Sequence, residues 1–297
     1  MEHKKERNAI IIASVLIGLV GIIVKLVGDN VHPITLVFYR LLVATVLLFA
    51  ISPFIDPDFY KINKKDTKLF AIAGLLLAGA MASFIYAVSL IPVSSVMLLT
   101  STYIFFVVLF AYLFLNEKIK HKHLISMFLI ILGMVILNPL SMSISIIGFG
   151  LTILNAIFHA GVLVYMKYEG RNHKPSSMTW TILFATLFLT PVPFIFGFGN
   201  VMEVMPHIFF LGGVSTAIPY SLLAFGIRKI STDTTAILQL AISPVTAIIF
   251  AMIFLKETLT EQMLFGGSLI LIGGISLIYT ISKFKEFLHK QLHTYQI

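Results

Sequence analysis

The segment FIYAVSLIPVSSVMLLTSTYIFFVVLFAYLFLNEKIKHKHLISMFLIILGMVIL, residues 84–137, recurs without a gap as residues 224–277, 140 positions later. Both copies contain Phe-Leu-x-Glu, as Phe114-Leu115-Asn116-Glu117 and as Phe254-Leu255-Lys256-Glu257. Each motif ends a long apolar run, and a second run follows with a glycine in register, Gly133 or Gly273. Leu98, Phe110, Ala111, Leu124, Leu129, Ile130 and Leu137 also meet identical partners at Leu238, Phe250, Ala251, Leu264, Leu269, Ile270 and Leu277. Aliphatic identities arise easily by accident in so apolar a chain, whereas paired glutamates and glycines do not.

With 58% hydrophobic and 11% charged residues and a mean hydropathy of +0.99, the chain is too apolar for an ordinary soluble domain. A membrane-spanning helix needs roughly 20 apolar residues. Ten such runs fit between the charged breaks, near 9–27, 35–55, 69–90, 93–115, 124–138, 144–166, 178–197, 207–227, 235–255 and 263–282. Backbone groups in hydrocarbon must be paired within the segment or in a closed barrel, and these runs are too long and too apolar for barrel strands. The fold class expected is therefore all-α integral membrane protein, with ten transmembrane helices. The first run exceeds a signal-peptide core and no small-residue cleavage site follows it, so it is read as a mature helix.

The net charge of +8 marks topology rather than nucleic acid. Basic residues cluster before helix 1 and in the loops after helices 2, 4, 6, 8 and 10, which together hold 18 of the 21 lysines and arginines. Lys256 alone is basic in the opposite loops. The positive-inside bias then puts both termini in the cytoplasm of a multi-pass protein of the cell (plasma) membrane. Because five helices separate matched positions, the second copy crosses in the opposite direction to the first. Residues 1–140 and 141–297 are thus expected to form two inverted five-helix repeats, related by a pseudo-two-fold axis in the membrane plane. In transporters of that kind the substrate site lies near midplane at the repeat interface.

The chain resembles the EamA-like branch of the drug/metabolite transporter superfamily over nearly its whole length. The resemblance rests on the ten helices, the doubled Phe-Leu-x-Glu, the Gly-rich helices 5 and 10, and Val37-Phe38-Tyr39-Arg40-Leu41-Leu42 opening helix 2. Many EamA-like members carry a proline in helices 4 and 9. Pro244 matches the second, while Tyr103 and Ile104 stand in the corresponding first-half region. The resemblance implies transport of small metabolites such as amino acids, more often export than uptake, through a cavity formed by helices 1, 3, 4, 6, 8 and 9.

The 13 acidic residues all fall in loops or at helix ends, so no carboxylate is available at mid-membrane to carry protons. His159 is the histidine nearest mid-helix and an imidazole titrates near neutral pH, so it is read as a substrate contact or proton carrier, against an interhelical hydrogen bond. Asn155 lies one turn away on the same face. Tyr86, Tyr103, Tyr220, Gln239 and Ser243 are the further substrate-binding candidates, because aromatic, amide and hydroxyl groups contact organic solutes without fixed charge. Tyr86, Tyr103, Tyr220 and Gln239 are expected around one shared void. Six residues are assigned gating or structural roles. Lys25 reaches the interface. Arg40 snorkels or pairs with the end of helix 1 near Asp29. Glu117 and Glu257 stand where their own helix dipoles disfavour negative charge, offset by Lys118, Lys120 or Lys256. Pro219 and Pro244 free backbone carbonyls that a cavity or neighbouring helix must satisfy.

Absence of cysteine excludes thiolate metal sites, and in Lys120-His121-Lys122-His123 lysines interleave the imidazoles, so neither metal nor cofactor is expected. No Walker loop, Gly-x-Ser-x-Gly or His-Glu-x-x-His occurs, so ATP-driven transport and familiar hydrolases have no support. The expected partners are a small-molecule substrate, the lipid bilayer and, through His159, protons, with the protein a monomer or weak dimer. The rival classes are a passive channel and an integral-membrane lipid or glycan transferase, the latter requiring a carboxylate or histidine cluster at one interface.

Overall fold

The computed structural model describes residues 3–57, 59–62, 64–115, 121–137, 145–168, 175–226, 229–230 and 232–294, with side chains for all of these except 55, 121–122, 167–168, 175–176, 232–234 and 280–294. The described residues form ten helical segments and no strand. In chain order they are α1 (Lys4–Asn30), α2 (Pro33–Ile55), α3 (Lys64–Leu90), α4 (Val93–Leu115), α5 (His121–Ile136), α6 (Ile146–Tyr168), α7 (Pro175–Leu189, continued by Val192–Phe196), α8 (Val201–Gly226), α9 (Thr232–Phe254) and α10 (Glu261–Thr294). Nine of them are long and apolar enough to cross a membrane, and α5 contributes a shorter apolar stretch, His123–Ile136.

Two segments, α4 and α8, depart from simple helices in ways that matter for function. In α4 the helix stops at Thr100 and restarts at Tyr103. Two hydroxyls sit at the break, where Ser101 Oγ donates to Met97 O at 3.0 Å and Thr102 Oγ1 to Leu99 O at 2.7 Å, competing with the backbone for the carbonyls. Conversely α9, which contains Pro244, runs unbroken. The interruption thus falls in the first half, where Tyr103 and Ile104 stand in the region of the family's proline. In α8, residues Phe210–Ala217 wind as a π-helix, a rare form that recurs at functional sites.

The helices pair across the chain. α6 packs on α3 and α4, while α1 packs on α8 and α9. α2 meets α7, α4 meets α9 and α5 meets α10. Between α2 and α7, hydroxyls serve as glue: Thr45 and Thr186 are 2.8 Å apart and Ser52 and Thr179 2.7 Å. Small residues set the α5–α10 approach. A Cβ on Gly133 would lie 2.5 Å from Gly266 O, and one on Gly273 would lie 2.8 Å from Ser126 O. The two glycines in register therefore do the same work on facing helices. The outward faces of α5 and α10 expose Ile125, Phe128, Val135, Phe265 and Ile272, as lipid contact requires.

Candidate functional site

The contacts of the predicted residues form three groups. At the first, the α4 break lets Tyr103 turn toward α6, where its ring stacks on His159 at a centroid distance of 4.9 Å and an interplanar angle of 30°. Both side chains are half-buried. His159 is thus engaged through its ring face, and not in the interhelical hydrogen bond of the structural reading. One turn earlier the buried Asn155 donates from Nδ2 to Ala80 O of α3 at 2.8 Å, while its Oδ1 is sealed without a partner. Ser83 Oγ donates to Gly79 O and Ala80 O of its own helix. A polar strip therefore runs along α6 where it meets α3 and α4.

The second place lies between α2 and α8. Arg40 is 6% exposed and does not snorkel, and its Nε donates to Thr216 Oγ1 at 2.8 Å. The pairing expected with Asp29 is absent, because the side chain follows α8 into the bundle instead of turning to the helix end. Thr216 in turn donates to Leu211 O at 2.7 Å, five residues back, a bond that fits π winding. Tyr220 stands within electrostatic reach of the guanidinium. Pro219 is buried just beyond the π segment, and its missing N–H removes a donor where the backbone regains α winding. Pro244 likewise leaves the Leu240 carbonyl of α9 without its intrahelical donor.

The third place is the junction between the end of α9 and the start of α4. Glu257 Oε1 accepts the Val93 N–H at 2.7 Å, and Oε2 accepts the Ser94 N–H at 3.0 Å and the Ser94 hydroxyl at 2.7 Å. The carboxylate that the sequence sets against its own helix dipole is therefore placed on the positive end of another helix, α4, and Lys256 is not its offset. A turn through Lys256 at φ 54 carries it there, with the Glu257 N–H donating to Ala251 O at 3.2 Å. Lys25 attracts Glu257 electrostatically and extends Nζ to Ser89 O at 3.4 Å. Tyr86 also belongs here, 6.0 Å from the ring of His32, which stacks on Phe196 at 4.3 Å.

Two candidates contribute differently from expectation. Ser243 Oγ donates to Ser14 O of α1 at 2.9 Å, so its hydroxyl is committed to the α1–α9 contact. Gln239 is half-buried on α9. Glu117 lies outside the described residues. Sequence reasoning missed Thr216 and His32, whose partners lie far away along the chain. Among the described residues no group of three or more His, Cys, Asp or Glu could hold a metal ion.

The model of the EamA-like transporter family matches the chain twice, over residues 8–138 and 146–280. An uncharacterized transporter of Archaeoglobus fulgidus is 30% identical over 269 residues, 89% of this chain and 93% of the relative. The pseudopaline exporter CntI of Pseudomonas aeruginosa is 25% identical over 184 residues, 61% of this chain and 64% of its own length. A riboflavin transporter of Brucella anthropi is 36% identical over 118 residues, 39% and 40% of the two chains. A crystal structure with 14% identity superimposes with a TM-score of 0.66, covering 93% of this chain and 98% of the other, and so shares its fold. These are names of transporters rather than enzymes, and they support movement of a small molecule across a membrane. With both halves matched, the chain belongs to the EamA-like transporter family of the drug/metabolite transporter superfamily.

Proposed function

We propose that the protein is a secondary transporter that exports a small amphiphilic metabolite, an amino acid or a related compound, by alternating access of two inverted halves, residues 1–140 and 141–297. The observation that carries this reading is the reciprocal pairing of helices, in which α6 packs on α3 and α4 as α1 packs on α8 and α9. Exchange of partners between halves gives two equivalent seams, one opening as the other closes. The substrate's apolar part lies against Tyr103 and His159, whose stacked rings offer an aromatic surface without fixed charge. Tyr220 lines the other side of the pathway. Glu257 closes the mouth opposite the termini by tying the end of α9 to the start of α4.

Counterflow in proteoliposomes tests the reading. Labelled substrate inside should be exchanged by unlabelled substrate outside with saturable kinetics, which a channel cannot do. Non-saturable flux through the purified protein would overturn it, and a lipid-linked product formed from added precursors would favour a transferase.

A further inference from the structure

The buried cation of Arg40 is left over from the packing of α2 on α8. Seven residues past Pro33, it lies about 10 Å of helix from the α2 start. Its side chain ends at Thr216, which is 0% exposed and near the middle of α8. Among the described residues no carboxylate lies within ion-pair distance of it, and its hydrogen bond is that from Nε to Thr216 Oγ1. A guanidinium carries five N–H donors in a fixed fork. The Nε bond uses one and leaves the two Nη groups without a protein partner, and they are not among the sealed polar atoms of the structure, so they border open space. A charge kept so deep without a counter-ion is costly, and leucine or methionine would fill the α2–α8 contact without that cost.

The surroundings hold the fork still. Thr216 spends its proton on Leu211 O, so only its lone pairs face Arg40, and the Nε–H is pinned in one direction. Gly212 lets the backbones approach at this level, since a Cβ there would stand 2.8 Å from Arg40 O. Ser215, on the same π segment, has a sealed hydroxyl with no partner. Tyr220 adds a phenol one turn on.

We infer that Arg40, held by Thr216 of the π segment and flanked by Tyr220, binds the carboxylate of the transported metabolite end-on through its two Nη groups. This rests on the transporter reading above and narrows its substrate to monoanionic carboxylates and zwitterions bearing one. A single charge favours a carboxylate over a phosphate dianion, because no second lysine or arginine occupies the middle of a described span beside it.

The test uses the full-length protein in detergent, with thermal stabilisation read against leucine, phenylalanine, isovalerate and phenylacetate, each beside its amide, and against inorganic phosphate. One or more acids should protect while the matched amide does not, and a protecting acid should drive counterflow in proteoliposomes. In Arg40→Gln the affinity for that acid should fall about 30-fold or more, as expected when one partner of a buried charge pair is removed. Should that variant fail to fold, competition on the parent decides: amides that protect as well as acids, no protection by any acid, or preferential protection by phosphate overturns the carboxylate assignment. Saturable counterflow of an amide in the parent would sink this inference and leave the transporter reading standing, whereas protection by an acid without any counterflow would sink the transporter reading alone.

Discussion

Glu257 caps the helix that begins at Val93, with 2.7 Å from the Val93 N–H to Oε1, across 164 residues of chain. The carboxylate satisfies orphan N–H groups of the α4 first turn and meets the positive end of its dipole, two effects that act in the same direction. Hydrogen bonds to a charged group contribute about 1.5–3 kcal/mol. Glu257→Ala should therefore lower the melting temperature of the purified protein markedly, and Glu257→Gln less. Ser94→Ala should cost less than either, about 1 kcal/mol, and next to nothing when added to Glu257→Ala. Full additivity of the two losses would show that Ser94 and Glu257 do not act as a unit.

Glycine positions separate backbone contact from helix propensity. Gly133→Val and Gly273→Val should each force α5 away from α10, because the new Cβ would meet a backbone carbonyl of the facing helix at 2.5 and 2.8 Å. Loss of folded protein on size-exclusion chromatography is the expected readout. At Gly150, with nothing within 4 Å, alanine should be neutral or stabilising by up to about 1 kcal/mol. Equal tolerance at all three positions would refute the close α5–α10 packing.

Topology is testable because the chain has no native cysteine. Single cysteines at Lys64, Lys120 and Arg171 should react only from the cytoplasm, Lys120 and Arg171 lying outside the described residues. Gly199 is a poor reporter for the other side, as its φ of 68 and a Cβ only 2.6 Å from Asn30 O make any side chain strained there. Phe198→Cys, at an exposed position, should react from outside instead. Labelling of positions 64 and 198 from one side would refute the proposed ten crossings.

Any proton coupling is expected to run through His159 or to be absent. His159→Gln keeps a hydrogen-bonding group and removes the imidazole's capacity to carry a proton, so it should exchange substrate in counterflow but lose accumulation driven by a pH gradient. His159→Phe, which preserves a ring against Tyr103, should bind substrate more tightly than the glutamine variant. Undiminished pH-driven accumulation by both variants would remove His159 from the coupling path.

Helix runs, loop charges and the glycines in register were legible in the sequence because each depends on local composition and spacing. The cap of Glu257 was not. From the chain alone its carboxylate stands at an unfavourable helix end, and only the fold supplies the second helix whose N-terminus it serves. Arg40 was legible as an anomaly but not as to partner, since Thr216 lies 176 residues away. Ser101 and Thr102 were visible as polar residues in an apolar run, yet whether such hydroxyls face a neighbour or turn back onto their own helix is decided by carbonyls one turn back. The α8 π segment has no composition of its own to announce it.

The hydroxyls of Thr45 and Thr186 stand 141 positions apart, close to the period of the chain's own duplication. Such a contact ties a helix of the first half directly to one of the second, inside one polypeptide. Thr186 spends its own proton on Ile182 O at 2.8 Å, so Thr45 is the donor and the bond has one direction. A bond with one direction works as a latch rather than a pivot: it keeps α2 and α7 in a single register along their seam.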